Sequence, residues 1–292
     1  LWMFPIFIAC CFALGSKYVN NFGYNQSLVN QQELTFNYRF DKIDGNKCFL
    51  MNSTAEFPSA MLPKEKNCLI GDINSQSKTN ILFIGDSHVR SEIPMLSVWL
   101  KNLNVKAYTV SQRSTPFLIN LPEIEKGVSM VSRNKSLVAL IKTHKYKYIV
   151  LGGAWQAEEY RDYIKSIDES IELIIDNGSI PIVIEDTSYI PSSVSNLCQI
   201  TTPKLMRMFY PHYCQIPILD VNEKQAPFTK IINSIKQKYK ELVLIDPKKA
   251  ICDLHYCNTE IDGIPIFADN HHMNYKGSEL LGELYLKKYG NP

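Results

Sequence analysis

A serine follows a short apolar run in the stretch ILFIGDSHVR, where the run ends at Gly85 and the serine is Ser87. A serine hydroxyl becomes a useful nucleophile only beside a base that a third group orients. Near the other end of the chain, the stretch FADNHHMNYKG contains Asp269 and, three residues later, His272. One turn can present both side chains, with the carboxylate bound to the ring nitrogen that faces away from the serine. These residues predict a Ser-His-Asp site for acyl-transfer chemistry.

Two alternatives stay open on the sequence alone. In the first, Asp86 or Ser87 only caps the following helix, because Asp and Ser are both preferred at helix starts. In the second, the base is His271, which directly precedes His272. His271 stands two residues after Asp269 rather than three. We therefore predict His272 as the base.

The elements that would position these residues begin after Asn80, where short apolar runs alternate with longer amphipathic stretches. This alternation predicts βαβ units, with a mainly parallel sheet covered by helices on both faces. Ligands of such sheets bind beyond the carboxyl ends of the strands, where Ser87 would lie. The predicted strands are 81–85, 105–110, 146–153, 180–185 and 242–246. The predicted helices are 87–100, 160–175, 228–239 and 275–289.

Charge balance argues against a nucleic-acid partner, since 31 Lys and Arg face 29 Asp and Glu without a basic block. The chain opens with LWMFPIFIACCFALG, an apolar run too short to span a bilayer, which takes about 20 helical residues. We interpret residues 1–16 as the end of a transmembrane helix, with a signal-peptide core as the alternative. Residues 17–77 are polar and are predicted to form an extracytoplasmic linker. Residues 78–290 are predicted to form the main domain.

Six of the eight cysteines lie outside the apolar opening. Because sequence neighbours close short loops, we predict the disulfides Cys48–Cys68, Cys198–Cys214 and Cys252–Cys257, which would place the chain in an oxidising compartment. One alternative is a set of six reduced core thiols. Another is a zinc site that uses Cys252, Cys257, His255 and His271.

The motifs GDSHVR and DNHH resemble those of the SGNH (GDSL-like) hydrolase superfamily, in which serine, aspartate and histidine follow in this order on a flavodoxin-like sheet. The segment CDLHYCNTEIDGIPIFADNHHMNYKG also resembles the SGNH domain fused behind acyltransferase family 3 membrane proteins, with Met273 and Asn274 in place of the usual Leu and Ser. The resemblance implies a three-layer α/β fold with a central, mainly parallel sheet. A transmembrane end and a disulfide-stapled linker would precede it.

By this resemblance, Ser87 is the nucleophile, His272 the general base and Asp269 the residue that orients it. The oxyanion hole would combine the backbone N–H of Ser87 with one from the loop after the second strand, at Ser114 or Thr115.

The family's third donor is an asparagine after the third strand, which the corresponding sequence GGAWQ lacks. Gln156 is therefore the candidate substitute. His88 and Trp155 are expected on the substrate-binding wall. The alternatives are an ordinary helix position for His88 and a packing role for Trp155.

Related proteins move acyl groups, mostly acetyl, onto sugars of the bacterial envelope. The resemblance implies an O-acetyltransferase that acts on a polysaccharide such as lipopolysaccharide O-antigen or peptidoglycan. It implies no bound cofactor or metal, but an acetyl donor derived ultimately from acetyl-CoA and a glycan acceptor. A multi-helix membrane acyltransferase domain is expected upstream of Leu1, with the soluble domain on the periplasmic side of the bacterial inner membrane. A carbohydrate O-acetylesterase and an inactive glycan-binding module are the alternatives.

Overall fold

The computed structural model describes residues 48–51, 62–120, 128–157, 164–187, 190 and 214–292 of the 292-residue chain. The predicted transmembrane end, residues 1–16, lies outside these ranges. Among the helices within them, none combines the length and the apolar character that crossing a membrane requires.

The described residues form strands and helices that alternate along most of the chain. The strands are β1 (Phe49–Leu50), β2 (Leu69–Gly71), β3 (Ile81–Gly85), β4 (Lys106–Gln112), β5 (Tyr148–Gly152), β6 (Ile180–Ile184), β7 (Gln215–Pro217), β8 (Val243–Ile245), β9 (Tyr256–Asn258), β10 (Glu260–Ile261) and β11 (Ile264–Pro265). The helices are α1 (Ser87–Asn102), α2 (Val128–Thr143), α3 (Ile167–Asp176), α4 (Ile218–Lys238) and α5 (Tyr275–Tyr289). Short 3₁₀ helices cover Glu65–Asn67, Ile164–Ser166 and Pro247–Ala250.

The central sheet has the strand order β1-β4-β3-β5-β6-β8 and is parallel along this path. Strand β3 lies between β4 and β5, so the chain runs first to one side of β3 and then to the other. This reversal is the topological switch point at which open α/β sheets bind their ligands. The sheet confirms the predicted flavodoxin-like α/β class.

Alternating strand residues build two apolar layers, one on each face of the sheet. On one face, Leu82 and Ile84 of β3 pack in a cluster that includes residues of α2, α3 and α4. On the other face, Phe83 of β3 packs with residues of α1 and α5. Burial on both faces explains why the strands read as nearly continuous apolar runs.

Helices α1 and α5 run side by side in the same direction, which brings their N-terminal ends together. Ser278 Oγ accepts a hydrogen bond from the backbone N–H of Met95 at 3.2 Å. Farther along both helices, the Trp99 indole donates to the carbonyl oxygen of Gly282 at 3.2 Å. Because both helices start at the carboxyl edge of the sheet, the residues at their starts meet there.

Two strands of the central sheet come from the region predicted to be a linker, residues 17–77. Strand β1 pairs in parallel with β4, and β2 pairs with β4 in antiparallel orientation. A Cys48–Cys68 disulfide joins the residues just before these two strands. The boundary at residue 78 stays a prediction, but the sheet extends beyond it.

Helix α2 is an element that the sequence analysis did not predict, because polar residues occupy part of its buried face. Arg133 is fully buried, and its Nε donates to Gln112 Oε1 at 3.3 Å. Asn134 donates to the carbonyl oxygens of Pro116 and Leu118 at 3.1 and 2.9 Å. These polar contacts hide the apolar periodicity that would otherwise mark the helix.

The structure contains two of the predicted disulfides, Cys48–Cys68 and Cys252–Cys257. The second one excludes the alternative zinc site, because its two thiolate ligands are joined to each other. Cys214 is also disulfide-bonded. Its predicted partner, Cys198, lies outside the described residues.

Mass spectrometry of unreduced peptides should therefore recover Cys48 joined to Cys68 and Cys252 joined to Cys257. We also expect Cys198 to be joined to Cys214. Alkylation of the native protein with and without prior reduction provides the control, since only reduction should expose these thiols. Free alkylation of all six thiols before reduction would contradict both the pairing and an oxidising compartment.

Candidate active site

The start of helix α1 lies close against the sheet because two paired strand residues, Gly85 and Gly152, have no side chain. A Cβ atom on Gly85 would lie 2.0 Å from the carbonyl oxygen of Gly152 and 2.4 Å from Cγ2 of Val89. A larger residue at either position would push the helix away. The glycine pair thus sets how near Ser87 comes to the sheet edge.

Asp86 caps helix α1 and ties it to a second strand end. Its Oδ1 accepts a hydrogen bond from the His88 N–H at 2.8 Å, and its Oδ2 accepts one from the Ala154 N–H at 2.9 Å. Burial raises the pKa of Asp86 even though these bonds oppose the shift. Asp86 thereby holds Ser87 at the first position of α1, next to the loop that follows β5.

A tight loop before helix α5 carries the other two residues. Oδ1 of Asp269 accepts hydrogen bonds from the backbone N–H groups of His271 and His272, at 2.9 and 2.7 Å. Asn274 then caps α5 by accepting from the Gly277 N–H at 2.7 Å. Asn is a preferred capping residue. Asn274 therefore suits the start of this helix.

The structure brings Ser87, His272 and Asp269 into one hydrogen-bonded chain. Nε2 of His272 lies 2.8 Å from Ser87 Oγ, and Nδ1 of His272 lies 2.7 Å from Asp269 Oδ2. Asp269 uses one oxygen to shape the loop and the other to orient the imidazole. Partial burial alone would raise the pKa of Asp269, but the hydrogen bonds from His272 and the loop amides hold it well below its usual value.

A second histidine–carboxylate pair lies beside this chain. His88 is buried, with Nδ1 3.2 Å from Asp186 Oδ1 and Nε2 2.9 Å from Nδ1 of His271. Asp186 Oδ2 also accepts from the Gln156 N–H at 2.9 Å. His88 therefore lies between Asp186 and His271, and its place on the substrate-binding wall stays a prediction.

The pKa values of the two neighbouring imidazoles are shifted in opposite directions. Burial by itself would lower the pKa of His88, but the carboxylates of Asp186, Asp86 and Glu92 raise it to about 9. Burial and the adjacent imidazoles lower the pKa of His271 to about 4. These opposite pKa shifts favour donation from His88 Nε2 to His271 Nδ1 across their 2.9 Å separation.

Asp186 is a site residue that the sequence analysis missed. It follows strand β6 at the same carboxyl edge of the sheet as Ser87. An acidic residue directly beyond a parallel strand is the signal that could have identified it. Glu92, on the next turn of α1, is also buried near His88, and burial raises its pKa well above its usual value.

The predicted oxyanion donors differ in whether their backbone N–H groups already have a hydrogen-bond partner. The backbone N–H of Thr115 donates to the carbonyl oxygen of Gln112 at 3.2 Å. This N–H therefore already takes part in a turn. Ser114 has a positive φ of 45° in the same turn. Ser114 and the Ser87 N–H stay the predicted donors.

The two site residues predicted after β5 are Trp155 and Gln156, and their side chains contact residues other than Ser87 and His272. The Trp155 ring is 3% exposed, stacks on Phe228 at 5.1 Å, and donates to the Ile184 carbonyl oxygen at 2.7 Å. These contacts favour the packing role that the sequence left open, and a place on the substrate wall stays a prediction. The Gln156 amide has no hydrogen-bond partner among the described residues and lines a cavity of about 720 Å³ whose described walls include neither Ser87 nor His272.

Asp269→Asn should lower kcat for ester cleavage by up to about 10⁴-fold, because the amide favours the wrong imidazole tautomer. The loop should persist, since the Asn oxygen still accepts from the two loop amides. The measurement is kcat with a small acetyl ester, with circular dichroism as the check on folding. Asp262→Asn, at an exposed hairpin position with φ 51°, is the matched control. A loss below about tenfold would contradict the orienting role.

The SGNH domain (fused to AT3 domains) family model matches residues 49–287. The chain is also similar in structure to the periplasmic domain of a lipopolysaccharide acetyltransferase from Salmonella ser. Paratyphi A, at 15% identity and a TM-score of 0.57. That match covers 84% of this chain and 91% of the other. The similarity shows a shared fold.

A catalytic mutant of an acetylxylan esterase from Geobacillus stearothermophilus matches at 12% identity and a TM-score of 0.40, over 74% of this chain and 96% of the other. A comparison with curated proteins found no significant match. The family's fold is that of acyl-transferring or hydrolytic enzymes. With most of its length matched by the family model, this chain belongs to the family described as SGNH domain (fused to AT3 domains).

Proposed function

We propose that this protein is a membrane-tethered O-acyltransferase. In this proposal it faces the periplasm and transfers an acyl group, with acetyl as the expected group, to a hydroxyl of a cell-envelope glycan. Lipopolysaccharide O-antigen and peptidoglycan are the candidate acceptors. The observation that carries the proposal is the hydrogen-bonded chain from Ser87 Oγ through His272 to Asp269, at 2.8 and 2.7 Å, in a member of this family.

In the first half of the reaction, His272 Nε2 takes the proton of Ser87 as Oγ attacks the carbonyl carbon of the acyl donor. Asp269 stabilises the imidazolium that forms, and the Ser87 N–H faces the developing oxyanion. As the tetrahedral intermediate collapses, the donor's leaving group departs with the proton from His272. The product is an ester between the acyl group and Ser87 Oγ.

In the second half, a sugar hydroxyl takes the place of the leaving group. His272 removes its proton, and the sugar oxygen attacks the ester carbonyl. As the second tetrahedral intermediate collapses, His272 returns the proton to Ser87 Oγ and the acylated sugar is released. Water in place of the sugar would give hydrolysis, so the same residues support an esterase if the acceptor is not favoured.

Family membership supports a membrane domain as the source of the acyl group. Its SGNH domains are fused to AT3 domains, and we propose that such a membrane domain supplies the acyl group, ultimately from acetyl-CoA. The chain itself would need no bound cofactor. The disulfides support the periplasm as the compartment. The lipopolysaccharide acetyltransferase domain that shares this fold is described as periplasmic, which agrees with the proposal.

A missing oxyanion donor supports transfer over hydrolysis in this proposal. The loop after β5 has no asparagine, and its Ala154 N–H is already bound to Asp86. Loss of one oxyanion donor typically costs about 10² to 10³ in rate. A transferase can compensate because donor and glycan are held beside the nucleophile. We therefore expect slow hydrolysis by the purified protein.

The test is the partition of products between acetylated sugar and free acetate, measured with a small acetyl ester as donor, with and without a glycan acceptor. We expect slow acetate release without acceptor and acetylated sugar when the acceptor is present. The protein should retain Cys48 and all later residues, because β1 and β2 belong to the sheet. Fast deacetylation of an acetylated glycan, unchanged by added acceptor, would favour the esterase. Glycan binding without either product would favour the inactive module.

A further inference from the structure

Three imidazoles converge beside Ser87, although the reaction uses only one of them. His88, His271 and His272 each offer a ring nitrogen, and these nitrogens all lie within 4.8 Å of one another. We propose that the three histidines form an inhibitory site for a divalent transition-metal ion, with Zn²⁺ as the probe. Imidazole nitrogen is a common ligand of such ions, and three protein ligands with a fourth position left to water is a frequent zinc arrangement.

The groups behind the rings resemble those that support metal-binding histidines. Asp186 lies 3.2 Å from Nδ1 of His88, and Asp269 lies 2.7 Å from Nδ1 of His272. Such carboxylates orient the ring and increase the basicity of the opposite nitrogen. Each pair therefore leaves Nε2 as the ligand atom of its histidine. The backbone N–H of His271 is bound to Asp269 as well, which holds the third ring in the same loop.

The separations between the three ring nitrogens need only a local adjustment to fit a tetrahedral zinc ion. Nε2 of His88 and Nδ1 of His271 are 2.9 Å apart. Zinc–nitrogen bonds of about 2.0–2.1 Å place tetrahedral ligand nitrogens about 3.4 Å apart. The widest separation, at most 4.8 Å, must therefore close by about 1.4 Å. The ion would take the place of the proton between His88 and His271, and that proton would leave to solvent.

A metal ion bound to the three histidines would block the reaction, and this consequence rests on the proposed function. A metal ion bound to His272 Nε2 occupies the lone pair that accepts the Ser87 proton. The ion would thus remove the base without touching the fold. Chelation should restore activity, because no covalent bond of the protein changes. Binding of the ion itself does not depend on which reaction the protein catalyses.

The binding test titrates Zn²⁺ against a chromophoric chelator, using the metal-free full chain. We expect one ion per chain in the wild type and in Ser87→Ala, which loses no ligand. Asp186→Asn should weaken the affinity by about 10- to 100-fold, as supporting carboxylates typically do. His271→Ala should weaken it further. His255→Ala, at an exposed histidine outside the cluster, is the matched control and should bind as the wild type does.

The inhibition test measures ester cleavage over the same Zn²⁺ range and expresses each variant against its own metal-free rate. We expect the wild type to lose activity at the concentration at which the chelator reports binding, and Asp186→Asn to need about 10- to 100-fold more metal. Absence of stoichiometric binding would overturn the site, whatever the activity. Binding without loss of activity would show that His272 is not a ligand. A protein that binds zinc but has no metal-free activity would instead contradict the proposed function.

Discussion

Ser87→Ala is expected to abolish acyl transfer and ester hydrolysis, with a fall in kcat of about 10⁶-fold, because serine, histidine and aspartate act as one unit. The substitution removes only the oxygen that lies 2.8 Å from His272 Nε2. Alanine suits the first turn of a helix, and Asp86 still caps α1. The variant should therefore fold with the disulfides of the wild type. The measurement is acetate release and acetylated glycan under identical conditions.

Ser91→Ala is the matched control for this prediction, since Ser91 lies one turn farther along the same helix. Its Oγ donates to the carbonyl oxygen of His88 at 2.8 Å, within the helix. We expect it to retain at least about a tenth of the wild-type activity, because removal of one neutral hydrogen bond costs only about 1 kcal/mol. Full activity in Ser87→Ala would disprove the acyl-serine intermediate.

His272→Ala is expected to be as severe as the serine substitution, with about 10⁶-fold loss of kcat. Without this imidazole, the hydrogen-bonded series from Ser87 to Asp269 has no group that can accept the Ser87 proton. His271→Ala should retain most of the activity by comparison, because its Nδ1 is bound to His88 rather than to Ser87. Initial rates for both variants with the same small ester provide the measurement.

The pair of histidine variants also decides between the two bases that the sequence leaves open. Loss of activity in His271→Ala together with an active His272→Ala would reverse the assignment. Matching thermal unfolding of the two variants provides the control, since both residues lie in the loop that Asp269 organises. Equal, modest losses in both would indicate a disturbed loop rather than a lost base.

The α/β class and the main strands were predictable because the sheet is buried on both faces. Such strands are short apolar runs with turn residues at their ends, and the predicted 81–85 agrees with β3. The predicted 275–289 likewise agrees with α5. Local sequence determines these elements, since burial pattern and capping residues lie within them.

Elements whose stability depends on distant partners were not predictable in this way. Strands β1 and β2 are two and three residues long and exist only because β4 offers them an edge. Helix α2 buries Arg133 against Gln112 and the loop after β4, so its apolar pattern is incomplete. Helix α4 starts at Ile218 rather than Phe228 and continues through Pro227. Packing outweighs local propensity in these cases.

The sequence by itself determined the residue types of the candidate site, because Gly-Asp-Ser after a strand and Asp-x-x-His before a helix are local patterns. Only the tertiary structure decided which histidine meets Ser87, since His271 and His272 are neighbours and their ring directions depend on the loop that Asp269 shapes. It alone also placed Asp186 behind His88, across 98 residues of chain. Such contacts arise where separate strands end at one edge of the sheet, and no local pattern encodes which of those ends will be neighbours.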